Sequence, residues 1–387
     1  MDLSYGIVNL VRTLEKVRRY DLDWLRVLVF GLLIFYHVGM FFVPWGWHIK
    51  NNEISTGMIW PMLFVNQWRL PILFMISGMG TAFALSHRSI GQFIRERNYR
   101  LGIPLAFGMV FIIPPQVYLE RLAGMDFVGS YLEFWTSEAF EGVYPSGNVS
   151  WHHLWFLPYL LVYSIILAPI FSYFRAHPES PFLAGIKSMI TRRPMAIYLF
   201  IIPLYLYESL LEPFFPVTHN LVSDWFNFVS SLTLFFFGFV LISIRKSFWE
   251  LVDRIKYYTL SIGIATVAIL IFIVTNFEDS IVRHFIEAFF KVTNMWSWIL
   301  TIFGFGAYYL NKPGKTLRYC NQAVYPYYIL HQTVIIVVAY QLMDLDINLY
   351  LKFLILTVTT FLITGLIYEF LIRRIRLLWP LFGLKKA

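Results

Sequence analysis

Ten stretches of roughly 18–25 mostly apolar residues decide what this chain can fold into. They lie at about 23–43, 60–86, 101–118, 153–174, 195–212, 225–244, 257–276, 288–310, 322–342 and 349–371. A helix of about 20 residues crosses the ~30 Å hydrocarbon layer and satisfies its own backbone polar groups, which lipid cannot do for it. Of the 387 residues, 58% are hydrophobic and only 14% charged, and the mean hydropathy is +0.62. A soluble domain of this length has no interior large enough to hide that much apolar surface. The expected fold is all-α and polytopic, with about ten transmembrane helices.

The connections test that count independently. Arg12, Lys16, Arg18 and Arg19 precede the first run, and Arg88, Arg95, Arg97 and Arg100 follow the second. Arg175, Lys187, Arg192 and Arg193 follow the fourth, and Arg245, Lys246, Arg254 and Lys256 follow the sixth. Lys312, Lys315 and Arg318 follow the eighth, and Arg373, Arg374, Arg376, Lys385 and Lys386 form the tail. Twenty-four of the 31 Lys and Arg thus sit on alternate connections. Basic loops are retained on the cytoplasmic side, so both termini are expected in the cytoplasm and the number of spans is even. The chain divides into a cytoplasmic segment 1–22, a membrane domain 23–371 and a basic cytoplasmic tail 372–387. The longest outer connection, 119–152, is acidic and aromatic. It holds Glu120, Asp126, Glu133, Glu138 and Glu141, then Tyr144-Pro-Ser-Gly-Asn-Val-Ser-Trp151.

This distribution also narrows function. The net charge of +8 is accounted for by inner-face loops, so nucleic acid is not an expected partner. The single cysteine, Cys320, excludes an intrachain disulfide, and no Cys/His spacing suits a metal. The first twenty residues are polar and basic without a cleavable signal pattern, so the first apolar run is expected to insert and stay. No internal repeat, low-complexity stretch or second domain is evident. Matched broken helices of the kind found in inverted-repeat transporters are not seen.

Arg26 and His37 stand eleven residues apart in the first run. Eleven helical steps return to nearly the same face, offset by about 20°, and climb about 16 Å. Asp23 falls on that face too. Ionisable groups inside an apolar span are costly unless they face protein or water, so the stripe points to function. Arg69, entering from outside on the second run, reaches a depth similar to that of His37. His153 opens the fourth run at the outer surface, Glu208 lies late on the fifth, and His331 sits near the middle of the ninth. Five ionisable side chains from five helices can therefore share one outward-opening cavity.

Each has a plainer reading. A lone buried histidine is usually a packing residue. His152 and His153 flank a Trp151/Trp155 belt of the kind that anchors at an interface. Arg69 can pair with an acid or with carbonyls, and Glu208 and Glu212 can mark a helix end. Arg95, Arg97 and Arg100, ahead of Leu-Gly-Ile-Pro104, fit ordinary inner-face charge. They also fit a phosphate site, to which the guanidinium fork is suited. Arg26 and Asp23 lie at a similar depth.

The ordered motifs resemble the integral-membrane acyltransferase type 3 family. The first is Arg26-x10-His37 preceded by Asp23. Trp68-Arg69-Leu-Pro71-Ile-Leu-Phe-Met-Ile-Ser77-Gly78 follows, then Arg95-Glu-Arg97-Asn-Tyr-Arg100-Leu-Gly-Ile-Pro104. His153-Leu-Trp-Phe-Leu157 and Tyr328-Ile-Leu-His331-Gln come next, and the tail from Ile367-Tyr-Glu369 through Arg373 to Trp379-Pro-Leu closes the set. Leu70 departs from the usual Met. No Glu follows the Trp-Phe-Leu element, and no hydrolase-like domain follows the tenth run. These departures favour the family's glucan-type branch.

The resemblance implies transfer of an acyl group, succinyl or acetyl, from cytoplasmic acyl-CoA to a hydroxyl of an extracytoplasmic glycan such as a periplasmic glucan, in a bacterial inner membrane. Acyl-CoA is then a donor substrate, and no cofactor is bound permanently. The glycan acceptor and membrane lipid are the other partners; partner enzymes of glycan synthesis stay open. On this basis His37, Arg69 and His153 are the candidate catalytic residues, with His37 as general base. Arg26, Asp23, Arg97 and Arg100 are candidates for the donor site, and His331, Glu208 and Trp68 for the acceptor side or a supporting role. No metal is expected. A transporter or flippase of a sugar or acyl species is the competing class.

Overall fold

A computed structural model describes residues 18–384, so Arg12, Lys16, Lys385 and Lys386 lie outside the described residues. The protein is a helical membrane bundle. Its helices are α1 (Tyr20–Met40), α2 (Ile59–Leu85), α3 (Ile90–Ala123), α4 (Tyr131–Ser137), α5 (His152–Ala176) and α6 (Pro181–Arg192). They continue as α7 (Pro194–Leu210), α8 (Trp225–Ser243), α9 (Arg245–Asn276), α10 (Ile281–Tyr309), α11 (Lys315–Leu342) and α12 (Leu349–Ile372). Among the described residues there is no β-strand, only an isolated bridge between Val143 and Val149.

Among the described residues eight helices are long and apolar enough to cross a membrane. The two remaining expected spans are also helical, but each departs from a simple apolar rod. The fifth, α7, is short and opens on a 3-10 segment, Pro194–Phe200. The eighth, α10, carries Arg283, Glu287 and Lys291 in its first turns and Thr293, Asn294 and Ser297 further along.

Four spans begin well before the sequence expectation, the eighth and ninth by seven residues, at Ile281 and Lys315, and the third and seventh by more. The third span was expected at 101–118, yet α3 begins at Ile90 and runs to Ala123. The start is set by a capping box, in which Ser89 Oγ accepts from Gln92 N at 3.3 Å and Gln92 Oε1 accepts from Ser89 N at 3.0 Å. Arg95, Arg97 and Arg100 therefore lie on the helix rather than ahead of it, and Glu120 moves from the loop onto its last turn. Two π-helical segments, Asn98–Gly102 and Gly108–Ile112, interrupt α3. The first carries Arg100. The seventh span begins at Arg245 rather than 257, because its basic first turns continue the helix.

α2 forms the centre of the bundle, packed against α8, α10, α1 and α5. Its closest neighbour is α8, and two glycines explain the approach. A Cβ on Gly78 would lie 1.9 Å from Phe235 O, and one on Gly238 would lie 2.0 Å from Met75 O. Only hydrogen fits at either crossing point. α1 packs against α11, which in turn lies along α12. The described chain ends lie on one side of the bundle. Tyr20 N donates to Asn311 Oδ1 at 3.1 Å, and Gly383 packs against Tyr325. An even number of crossings requires this.

Candidate active site

A cavity of about 970 Å³ lies between α1, α2, α5, α7, α8, α10 and α11, and reaches the end of the bundle covered by the acidic loops. His37, Arg69, His153 and Glu208 line it, as four helices of the expected convergence should. His331 stands immediately behind His37.

The two imidazoles are joined directly. His37 Nδ1 and His331 Nε2 are 2.7 Å apart, with the rings within 2° of parallel. The chemistry of the far side sets the protons. His331 Nδ1 lies 2.7 Å from Tyr328 O and 3.2 Å from Tyr327 O. Carbonyls only accept, so His331 Nδ1 carries the hydrogen and its Nε2 is the acceptor. His37 Nδ1 must then donate to it. In the neutral pair this leaves His37 Nε2 as a basic lone pair beside the cavity. His331 is fully buried, as a group that holds another's tautomer should be.

His153 is differently placed. Its Nε2 donates to Ile329 O at 3.0 Å, and Gln116 Nε2 reaches its Nδ1 at 3.4 Å. Its own carbonyl accepts from the Tyr328 hydroxyl at 2.7 Å. Both ring nitrogens are engaged and the residue is 6% exposed, so it braces α5 against α11 with no nitrogen left over.

Arg69 is 4% exposed, with its guanidinium 3.5 Å above the Tyr36 ring and Nη2 donating to Asn66 Oδ1 at 2.8 Å. Its Nε and Nη1 are buried without a partner. Pro71, two residues on, sits inside α2. Trp68 does not line the cavity; it packs edge-on to Phe64 at 6.0 Å. Glu208 does, facing Lys291 of α10 at 3.8 Å.

The arginine group lies at the opposite, basic end. Arg26 Nη2 donates to Asp23 Oδ1 at 2.7 Å and to Asn321 Oδ1 at 2.5 Å. Asp23 also accepts from Arg18 at 2.7 Å. Arg97 Nη2 donates to Thr81 Oγ1 at 3.0 Å. Arg26 Nε and Arg100 Nε are buried and unpartnered. None of these arginines lines the cavity. One turn above Arg26, Phe30 packs on Tyr328 at 5.3 Å and Phe156 at 6.4 Å, and these three rings stand between the basic end and His37. The stripe from Arg26 to His37 is real, but aromatic rings occupy its middle.

A second polar group at the outer end escaped the sequence reading. His48 Nδ1 meets the Glu120 carboxylate, whose other oxygen accepts from the Tyr144 hydroxyl at 2.9 Å. Gln332 Nε2 donates to His48 Nε2 at 3.1 Å. Burial and the neighbouring Glu120 push the Tyr144 phenol up to about 12, which keeps it a donor. His152, at φ +37°, wedges edge-on against His48 and Tyr144. His219 stacks on Trp155 at 4.0 Å, and burial, with Arg69 adding to it, holds it down at about 4. Its ring is thus neutral near pH 7. Glu120 and Tyr144 stood out only as part of an acidic, aromatic connection, His152 only beside an interfacial belt, and Gln332 only as the residue after His331. His48 lies in a short connection with no periodicity. Among the described residues no three His, Cys, Asp or Glu side chains converge to hold a metal ion.

The fold and site together are those of a polytopic helical membrane protein with a histidine-bearing cavity at one end and a group of arginines at the other. The family described as an acyltransferase domain matches residues 19–369. The chain belongs to this family, and its described residues include eight helices long and apolar enough to cross a membrane. It is 24% identical over 230 residues to glucans biosynthesis protein C of Salmonella schwarzengrund, and 25% identical to the proteins of that name from Salmonella paratyphi B and Salmonella enteritidis. Each match covers 58% of this chain and 57% of the relative, so the chain spans less than two thirds of the length of the curated relatives it matches. No solved structure matches it.

Proposed function

We propose that this protein moves an acyl group, succinyl or acetyl, from cytoplasmic acyl-CoA to a hydroxyl of an extracytoplasmic glycan such as a periplasmic glucan, with both termini in the cytoplasm of a bacterial inner membrane. The observation that carries the reading is the contact of His37 Nδ1 with His331, itself held by the Tyr328 carbonyl, which leaves Nε2 of a cavity-lining histidine free to accept a proton.

A sugar hydroxyl is a poor nucleophile near pH 7, and a positioned imidazole removes its proton as it attacks. In the proposed step the hydroxyl oxygen bonds to the thioester carbonyl carbon while His37 Nε2 takes the hydroxyl proton. The tetrahedral adduct collapses, the C–S bond breaks, and the sulfur leaves with the bonding pair and receives the proton from His37. The products are an ester and free CoA thiol. Arg69, with two unpartnered donors beside the cavity, is the group suited to the negative oxygen of the adduct. Arg97, Arg100 and Arg26 at the basic end suit the phosphates of CoA, and Asp23 serves to hold Arg26 in place. His153 takes a positioning role. The glycan reading is supported by the names of the matched relatives.

The test is acyl-CoA consumption by the purified protein in detergent, with acceptor present. His37→Ala is expected to lower kcat by about 10²–10⁴-fold, the usual contribution of a general base. Activity within a few-fold of wild type removes His37 from the chemistry. Because no compartments exist in detergent, a transporter or flippase would show no thioester loss even as wild type.

A further inference from the structure

The cavity is larger than the reaction needs. At about 970 Å³ it lies at the upper end of ligand pockets, which run about 300–1,000 Å³ and bury most of a drug-sized ligand. The reacting groups use the part beside α1, α11 and Arg69 of α2. A second wall is built by α7, α8 and α10, with α2 between the two. It carries Glu208, Ser230, Asn227 and Lys291, and Gln67 and Arg69 reach it from α2.

The polar atoms of this cavity are short of partners. Gln67 Oε1, Arg69 Nε and Nη1, His152 Nε2 and Ser230 Oγ are all buried with none, and all four residues line the cavity. An unpaired buried polar group costs about 1–3 kcal/mol, so several around one space imply something that supplies donors and acceptors together. Asn227 is not among them, being spent on Asp224 and Ser231.

Charge narrows the ligand. Lys291 lies 3.0 Å from Glu287 and 3.8 Å from Glu208. Glu287 has a second cation, Arg283, at 3.5 Å, so Glu208 is the less neutralised acid. On the wall itself Glu208 and Lys291 face and offset each other, which leaves neutral hydroxyls, able both to donate and to accept, as the groups that fit. Trp47, Trp151 and Trp155 add apolar ring surface along the same cavity.

We propose that the wall of Gln67, Glu208, Ser230 and Lys291 is a subsite for a neutral sugar ring adjoining the one that is acylated, so that the enzyme measures acceptor length. This rests on the glycan reading above. The test compares two acceptors, methyl β-glucoside and a linear β-glucan tetrasaccharide, with succinyl-CoA as donor and the full chain in detergent. Wild type is expected to show the lower KM with the tetrasaccharide. Glu208→Gln and Ser230→Ala should each shrink the ratio of the two KM values by about ten-fold, the effect of about 1.4 kcal/mol. An equal rise for both sugars, or no change in either variant, overturns the subsite.

Binding is read separately from turnover, by tryptophan fluorescence during tetrasaccharide titration. Weaker binding in Glu208→Gln and Ser230→Ala, with no turnover by wild type, would keep the subsite and discard the transfer reading. No saturable binding by wild type discards the subsite. Two variants on different helices keep the test valid if one fails to fold.

Discussion

His37 owes its proposed chemistry to a carbonyl two hydrogen bonds away. Tyr328 O fixes the hydrogen on His331 Nδ1, and His331 Nε2 then fixes the hydrogen on His37 Nδ1. His331 does not line the cavity, and the role proposed for it is to position His37. Replacing it with Phe removes the acceptor and frees the His37 ring to turn. The lost interaction is worth about 1–3 kcal/mol, or roughly 5- to 150-fold in kcat, with the KM for acyl-CoA little changed. His331→Gln retains an amide oxygen that can accept, and is expected to restore part of the rate. Equal losses in both variants, tracking thermal stability, would reduce His331 to packing. Neither the pairing nor the tautomers are legible in the chain, where the two residues are 294 positions apart. What is legible is that each lies deep in an apolar run, which sufficed to mark them.

At the scale of elements, α2 has two duties. It presents Asn66, Gln67 and Arg69 to the cavity, and one to three turns later it must lie against α8. The Ser77-Gly78 end of its motif serves the second duty. Gly238→Ala places a methyl carbon 2.0 Å from Met75 O, so the helices must separate. Overpacking of this kind costs about 1–3 kcal/mol, and a lowered Tm in detergent is the expected outcome. Gly80→Ala, where nothing lies within 4 Å, is the control and should leave Tm unchanged or slightly raised. The motif in the sequence showed that Gly78 mattered; that its partner is Gly238 of α8 could not be read, because no local pattern specifies which helices are neighbours. The start of α3 was misjudged for a related reason. Hydropathy finds the apolar middle of a helix, whereas the capping box at Ser89 sets its end.

For the whole molecule, the central feature is the separation of two sites by three rings. The arginines face the basic end, His37 faces the cavity, and Phe30, Phe156 and Tyr328 stand between. A thioester delivered from the basic end must displace Phe30 or pass beside it. Phe30→Trp is expected to raise the KM for acyl-CoA several-fold. Phe30→Ala should let water reach the thioester, raising acceptor-independent acyl-CoA hydrolysis. If both variants leave donor KM and hydrolysis unaltered, the donor does not travel this way.

Runs of apolar residues and the ionisable residues inside them mark the all-α membrane class and the helices that carry a polar cost, because burial in lipid is a one-dimensional constraint along the chain. The sequence also marked the motifs that place the chain in its family. Helix packing brings both His153 nitrogens to partners, keeps Trp68 off the cavity, pairs His48 with Glu120 at its mouth and sets His331 against His37. Those are facts about which side chains meet across helices, and meeting depends on helix packing and rotation that residue spacing along one strand of sequence does not encode.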